Sequence, residues 1–173
     1  MYNLDRFIQA QAYNYNDALR EIRSGRKQSC WMWYVFPQIR GLGRSSMART
    51  YELESIEEAK EYLAHPILGA RLQEICEAAL QTESDNAGMV FGFPDDMKLR
   101  SSMTLFEQAD PENPIYGKLL DKFFHGNRDE MTLRILKEQL EGEMAYEDAV
   151  EITYRAIHTG MKFPRGYYRF QAE

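Results

Sequence analysis

The sequence predicts a mainly α protein: one compact multi-helix domain with an irregular aromatic and glycine-rich segment between helices. Three observations lead there. Apolar residues recur at helical three-and-four spacing through most of the chain. Serine, asparagine and aspartate stand just ahead of those runs, while proline and glycine mark where they start and stop. The 173 residues are 44% hydrophobic and 28% charged, ordinary for a chain that buries one core without metals or disulfides. Residues 1–141 read as the helical domain, and residues 142–173 as a helical extension packing on or near it.

Taken in order, Asn3 or Asp5 caps a first helix whose inner face is Leu4, Phe7, Ile8 and Ala12. Asn14 and Asn16 loosen its middle, Asp17 restarts it with Ala18, Leu19 and Ile22 inward, and Gly25 ends it. The apolar run from Trp31 to Phe36 reads as a buried strand or as an irregular segment, closed by Pro37. Gly41 and Gly43 form a tight loop, after which Ser45 or Ser46 caps a short helix through Met47 and Tyr51. Ser55-Ile56-Glu57-Glu58 fits a capping box, ahead of a helix lined by Ala59, Tyr62 and Leu63. Pro66 breaks that helix and opens the next, whose apolar face is Ile67, Leu68, Leu72, Ile75, Cys76, Ala79 and Leu80. A loop from Thr82 to Asn86 leads to a short apolar piece, Met89-Val90-Phe91. Pro94, Asp95 and Asp96 start a helix with Leu99, Met103 and Phe106 on one face. Two further helices cover 115–124 and 131–140, and another runs from Tyr146 to Ile157 beyond Gly142. The tail from Phe163 to Phe170 is aromatic and basic, suited to packing back on the body or to touching a partner.

Charge narrows the function. A formal net charge of −6 repels polyanions, so long nucleic acids and anionic membranes are not expected partners. No apolar run approaches the ~20 residues of a bilayer span, and the start carries no signal-peptide pattern. With Cys30 and Cys76 read as reduced thiols, the expected setting is cytoplasmic. Cys76 sits on an apolar helix face, whereas Cys30, beside Trp31 and near Lys27, is the better candidate for a reactive thiol. His65, His125 and His158 lack a second ligand three or four residues away and read as helix-end or surface residues; neither a metal nor a cofactor is expected.

Within this acidic chain, Arg23 to Tyr51 is a basic island: Arg23, Arg26, Lys27, Arg40, Arg44 and Arg49, with no acid among them. It also holds the aromatic block and the small-residue turn. Two readings stand side by side. Trp31, Trp33 and Phe36 stack on a ligand, or they are core. Gln38, Gly41, Gly43, Arg44, Ser45 and Ser46 hold a phosphate through backbone N–H groups, hydroxyls and a guanidinium, or they form a plain loop with a serine cap. The second polar concentration is Asp95, Asp96, Lys98, Arg100, Ser101 and Ser102. As chemistry, Asp95 or Asp96 is an acid/base or ribose-orienting carboxylate, Arg100 stabilises developing charge, and Lys98, Ser101 and Ser102 contact the ligand. As structure, Asp96 and Arg100 form an i,i+4 ion pair contributing about 0.3–0.5 kcal/mol.

The texts WMWYVFPQIRGLGRSSMARTY, SIEEAKEYLAHPILGARL and FGFPDDMKLRSSMTLF resemble an uncharacterised bacterial family labelled domain of unknown function eighteen-ten, some members of which carry the name calpastatin. The resemblance runs from about Leu4 to Leu140 and implies a single, mostly helical domain, with the residues beyond Gly142 outside the usual family core. Calpastatins are disordered inhibitors, and this core-rich sequence is unlike them. Arg6-Phe7-Ile8-Gln9-Ala10-Gln11 is also similar to the Y-F-Q-A-Q-K segment of the helical domains grouped with riboflavin-biosynthesis-associated YbiA proteins. That likeness implies NAD or ADP-ribose chemistry, including removal of ADP-ribose from guanine bases. The acidic residue preceding that segment in the group falls near Asp5 here, and a later W-G motif is missing.

The function expected from these readings is binding, with N-glycosidic hydrolysis, of an ADP-ribose- or nucleotide-like ligand; the partner is a small phosphorylated molecule. The alternative is a non-enzymatic module that recognises a nucleotide signal or an acidic protein segment. The sequence leaves the oligomeric state open.

Overall fold

The computed structural model describes residues 2–159, with side chains through residue 151. By internal contacts the chain divides into two units, Met1–Ile135 and Leu136–Glu173. The secondary structure of the described residues is helical, with a lone bridge between Ile39 and Leu53. In order, the helices are α1 (Asp5–Arg23), α2 (Met32–Val35), α3 (Ser46–Tyr51), α4 (Ile56–Ala64), α5 (Pro66–Leu80), α6 (Ala87–Phe91), α7 (Asp95–Ala109), α8 (Ile115–Phe124) and α9 (Glu130–Thr159).

The caps act largely as their residue types dictate. Ser45 accepts the Ala48 N–H at the start of α3, and Ser55 accepts that of Glu58 at the start of α4. The capping box is modified, because the Glu58 carboxylate takes the Glu54 N–H at 2.8 Å and the Arg6 guanidinium. His65 is a helix-end residue, as expected. Its Nδ1 accepts the Ile67 and Leu68 N–H groups, and Pro66 occupies the first turn of α5. His125 ends α8 in the left-handed region.

Three local expectations are corrected. Helix α1 runs unbroken through Asn14 and Asn16, since Gln11 one turn before and Tyr15 between them are locked into the core. The aromatic run is not a strand: Met32–Val35 form one turn of helix, α2, inside an otherwise irregular segment. Helix α9 continues through Gly142, where a single glycine costs only about 1 kcal/mol in a long helix. The tail from Phe163 to Phe170 and the side chain of His158 lie outside the described residues.

The core of the first unit is aromatic and is organised around α7. Six consecutive residues of that helix, Ser101 to Phe106, are buried, so α7 is covered on all sides rather than on one stripe. Helices α4, α6 and α8 pack on it, and α5 bridges α4, α8 and α1. One ring series runs Phe7–Tyr62–Phe106–Tyr116 at 5.1, 5.5 and 5.9 Å. A second runs Phe36–Phe91–Phe123 at 5.8 and 6.0 Å, both contacts edge-on. Of the polar residues inside α7, Ser101 and Thr104 donate to the carbonyls of Met97 and Arg100, while the buried Ser102 hydroxyl has no hydrogen-bond partner among the described residues.

The corner between α4 and α5 depends on Gly69, because a Cβ there would meet the Leu63 carbonyl oxygen well inside contact distance. Gly69→Ala is expected to push the two helices apart and lower stability by about 1–3 kcal/mol, read as a fall in the denaturant midpoint with little change in slope.

Candidate ligand-binding site

The site is built from the end of α1 outwards. Glu21 in its last turn is buried. Its carboxylate accepts the N–H groups of Gln28 and Ser29 at 2.5 and 2.8 Å, the Ser29 hydroxyl at 2.6 Å and the Trp31 indole N–H at 3.1 Å. Burial opposes ionisation, but these four donors outweigh it and hold the carboxyl below its ordinary value. Gly25, at φ +86°, turns the chain so that the following loop closes over this carboxylate.

That loop delivers Lys27. Its backbone N–H donates to the Val90 carbonyl at 2.7 Å, and its Nζ stands 2.8 Å from Asp95 Oδ2. Lys98 Nζ takes the other oxygen, Oδ1, at 3.0 Å. Each ammonium also lies over a ring: Lys27 is 5.0 Å from the Trp31 centroid and Lys98 is 4.7 Å from that of Trp33. The two polar stretches read from the sequence therefore meet, at a cluster of two cations and one anion against two tryptophans.

The candidate residues divide by accessibility. Trp31 and Phe36 are fully enclosed, and Ser101 and Ser102 lie inside α7, so none of these four offers a ligand more than a trace of surface. Trp33 is half-buried and borders, with Gln38, Gly43 and Tyr51, a hollow of about 10 Å³, room for roughly one water molecule. Gly43 has a structural reason to be glycine, since its Cβ would overlap that of Ala48. Gly41, at φ +102°, makes the turn. Ser45 is occupied as the cap of α3; Arg44 and Ser46 are exposed, and no carboxylate pairs with Arg44 among the described residues.

Of the carboxylates, Asp95 has both oxygens taken by lysines. Asp96 accepts only the Met97 N–H, at 2.9 Å, and no cation pairs with it among the described residues. The expected Asp96–Arg100 pair is not formed. Arg100 turns to Asp129 at 3.6 Å and lines an open cleft of about 660 Å³ with Asn127 and Arg128. A second open cleft, about 410 Å³, lies beside Arg6, Arg40 and Arg49, and is shared with Glu52, Glu54 and Glu58. The segment likened to ADP-ribose-linked domains is committed to the fold: Phe7 is enclosed, Arg6 holds Glu58, and Gln11 donates to the Tyr34 carbonyl at 2.7 Å.

Sequence reasoning did not single out Glu21 or assign Lys27 to the ligand set. The signal for Glu21 is an acid amid the apolar face formed by Ala18, Leu19 and Ile22. Cys76 is enclosed beside the Met103 sulfur, and burial pushes its thiol far above the ordinary range, while Cys30 is exposed. Among the described residues no group of three or more His, Cys, Asp or Glu is placed to hold a metal ion, and no helix is long and apolar enough to cross a membrane.

A small helical domain with a charged, tryptophan-backed cluster at its surface is thus the class of protein defined by fold and site. The chain belongs to the family described as protein of unknown function DUF1810, whose model matches residues 1–136. It is similar to the crystal structure of the conserved hypothetical protein Rv1873 from Mycobacterium tuberculosis, with 46% identity and a TM-score of 0.76 over 78% of this chain and 96% of that one. The search of curated proteins finds no match.

Because Glu21 is held ionised below its unfolded value, its contribution to stability is complete above the unfolded carboxyl's ~4.3 and is lost as the pH falls through the lower folded value. Glu21→Gln is expected to be less stable at pH 7 and to show a shallower loss between about pH 5 and 3, measured by urea unfolding at each pH.

Proposed function

We propose that the domain binds a small phosphorylated ligand of nucleotide or ADP-ribose type across the Trp33 edge of the lysine cluster. The observation that carries this reading is the sharing of one carboxylate, Asp95, by Lys27 and Lys98 beside Trp33. The triad keeps one excess positive charge where the side chains are mostly covered, and a partly desolvated cation attracts phosphate more strongly than a hydrated one. Exposed Arg44, next to Gly43 on the rim of the Trp33 hollow, adds an unpaired guanidinium for a second phosphate oxygen. With room for only about one water molecule there, the ligand lies over the surface.

Binding is better supported than hydrolysis. Both Asp95 oxygens are occupied, and Arg100 leans away towards Asp129. Asp96 is the carboxylate with capacity left for proton transfer, so an N-glycosidic cleavage step would rest on it. One observation favours the second reading, recognition of an acidic protein segment: Phe93 is 81% exposed, with Met89 and Met97 also exposed on the neighbouring turns.

Calorimetric titration with ADP-ribose, NAD and AMP tests the proposal. Micromolar binding is expected, weakened roughly tenfold or more in both Lys98→Ala and the exposed-site variant Arg44→Ala. The Arg44 variant touches no core residue, so its loss of affinity would not reflect misfolding. No heat with any of the three ligands, or unchanged affinity in Arg44→Ala, would overturn the assignment. Release of a free base that stops in Asp96→Asn, with binding retained, would identify the hydrolytic step.

A further inference from the structure

The cleft beside Arg6, Arg40 and Arg49 has a floor that is closed to any ligand. All five N–H donors of the Arg6 guanidinium are taken. The Thr50 carbonyl accepts from Nε at 3.0 Å, the carbonyls of Asn3 and Glu52 accept from the Nη groups, and both Glu58 oxygens accept at 3.1 and 3.2 Å. The Glu58 side chain is 3% exposed, so this pair is a neutral plug that also fixes the end of α3. Above it the charges are less committed. Arg49 is exposed, and no carboxylate pairs with it among the described residues. Arg40, 64% exposed, reaches Glu52 only at 3.9 Å. The Glu52 carboxylate is 21% exposed and otherwise accepts one long bond, 3.4 Å, from the Gly41 N–H. Most of its lone pairs are therefore open to further donors. The Ile39–Leu53 bridge and the Arg40 N–H, 2.8 Å from the Leu53 carbonyl, hold Arg40 beside Glu52.

We propose that this cleft, about 410 Å³, binds a sugar phosphate, with Arg49 and Arg40 on the phosphate and the Glu52 carboxylate on neighbouring sugar hydroxyls. A guanidinium fork matches the oxygens of a phosphate, and a carboxylate accepts both donors of a vicinal diol. The mixed lining is what selects the ligand class. Inorganic phosphate would set its charge against Glu52 and the exposed Glu54, whereas a neutral sugar would leave both guanidinium groups unanswered. The volume lies within the ~300–1,000 Å³ of small-molecule sites. None of Lys27, Trp33, Arg44 and Lys98 lines this cleft, so it is separate from the nucleotide site proposed above.

Calorimetric titration of the full chain with ribose 5-phosphate, inorganic phosphate and ribose tests this. Ribose 5-phosphate is expected to bind roughly tenfold or more tightly than either of the others. Arg49→Ala should weaken it roughly tenfold or more. Glu52→Gln, which keeps the shape of the side chain, should weaken ribose 5-phosphate severalfold and leave inorganic phosphate no weaker. Arg26→Ala removes an exposed charge of the same basic island outside the cleft and should change nothing. No heat with ribose 5-phosphate would overturn the proposal, as would equal affinity for inorganic phosphate or indifference to either cleft variant. Equal weakening in Arg26→Ala would overturn it too, since overall charge and not the cleft would then hold the ligand.

Discussion

The interaction on which the site depends is the burial of the Glu21 carboxylate at the end of α1. A buried anion is tolerated only when its oxygens are satisfied, and here four donors converge on it from the next ten residues. The consequence is directional. The loop after α1 must wrap back so that its N–H groups reach the carboxylate, which carries Trp31 into the core and Lys27 across to Asp95. The same anion therefore decides which tryptophan is structural and which cation joins α7. Removing it would leave several buried donors unpaired, a larger penalty than losing one hydrogen bond from the surface.

Helix α7 is the second constraint. Being buried on every side, it cannot carry charge through its middle, and its ionisable residues are confined to the first turn and a half and the far end. Asp95 and Lys98 emerge at the exposed end, beside the loop that Glu21 fixes. The charged cluster is thus a product of two rigid elements, each placed for reasons of packing and hydrogen bonding. A cluster made this way is rigid, with little side-chain freedom left.

This origin also explains why the site is shallow. The aromatic block lies mostly beneath the surface, where Trp31 and Phe36 complete the ring series, and only the Trp33 edge remains accessible. The exposed arginines on the 40–49 segment, by contrast, have little to do with the core. Their positions follow from the turn at Gly41, the close approach of Gly43 to Ala48 and the Ser45 cap. Positive charge is therefore presented at two depths: covered lysines against Trp31 and Trp33, and exposed guanidinium groups on the 40–49 segment, of which Arg40 pairs with Glu52.

Much of the fold was determined by sequence alone, because helix starts, stops and inner faces are local properties. Ser45, Ser55 and Pro66 cap or open the helices that their chemistry predicts, and α8 has the limits its punctuation suggests. The basic island and the family likeness were equally legible, since charge and motif need no third dimension. Tertiary packing decided the rest. Burial of Gln11 and Tyr15 overrode the weak propensities of Asn14 and Asn16, turning two expected helices into one. Packing sent Trp31 inward and left Trp33 at the edge, although both lie in the same apolar run. It also paired Arg100 with Asp129 instead of Asp96, and Lys27 with Asp95, partners 29 and 68 residues away. Sequence spacing cannot foresee such pairs, because the energy that selects them belongs to helices brought together by a shared core.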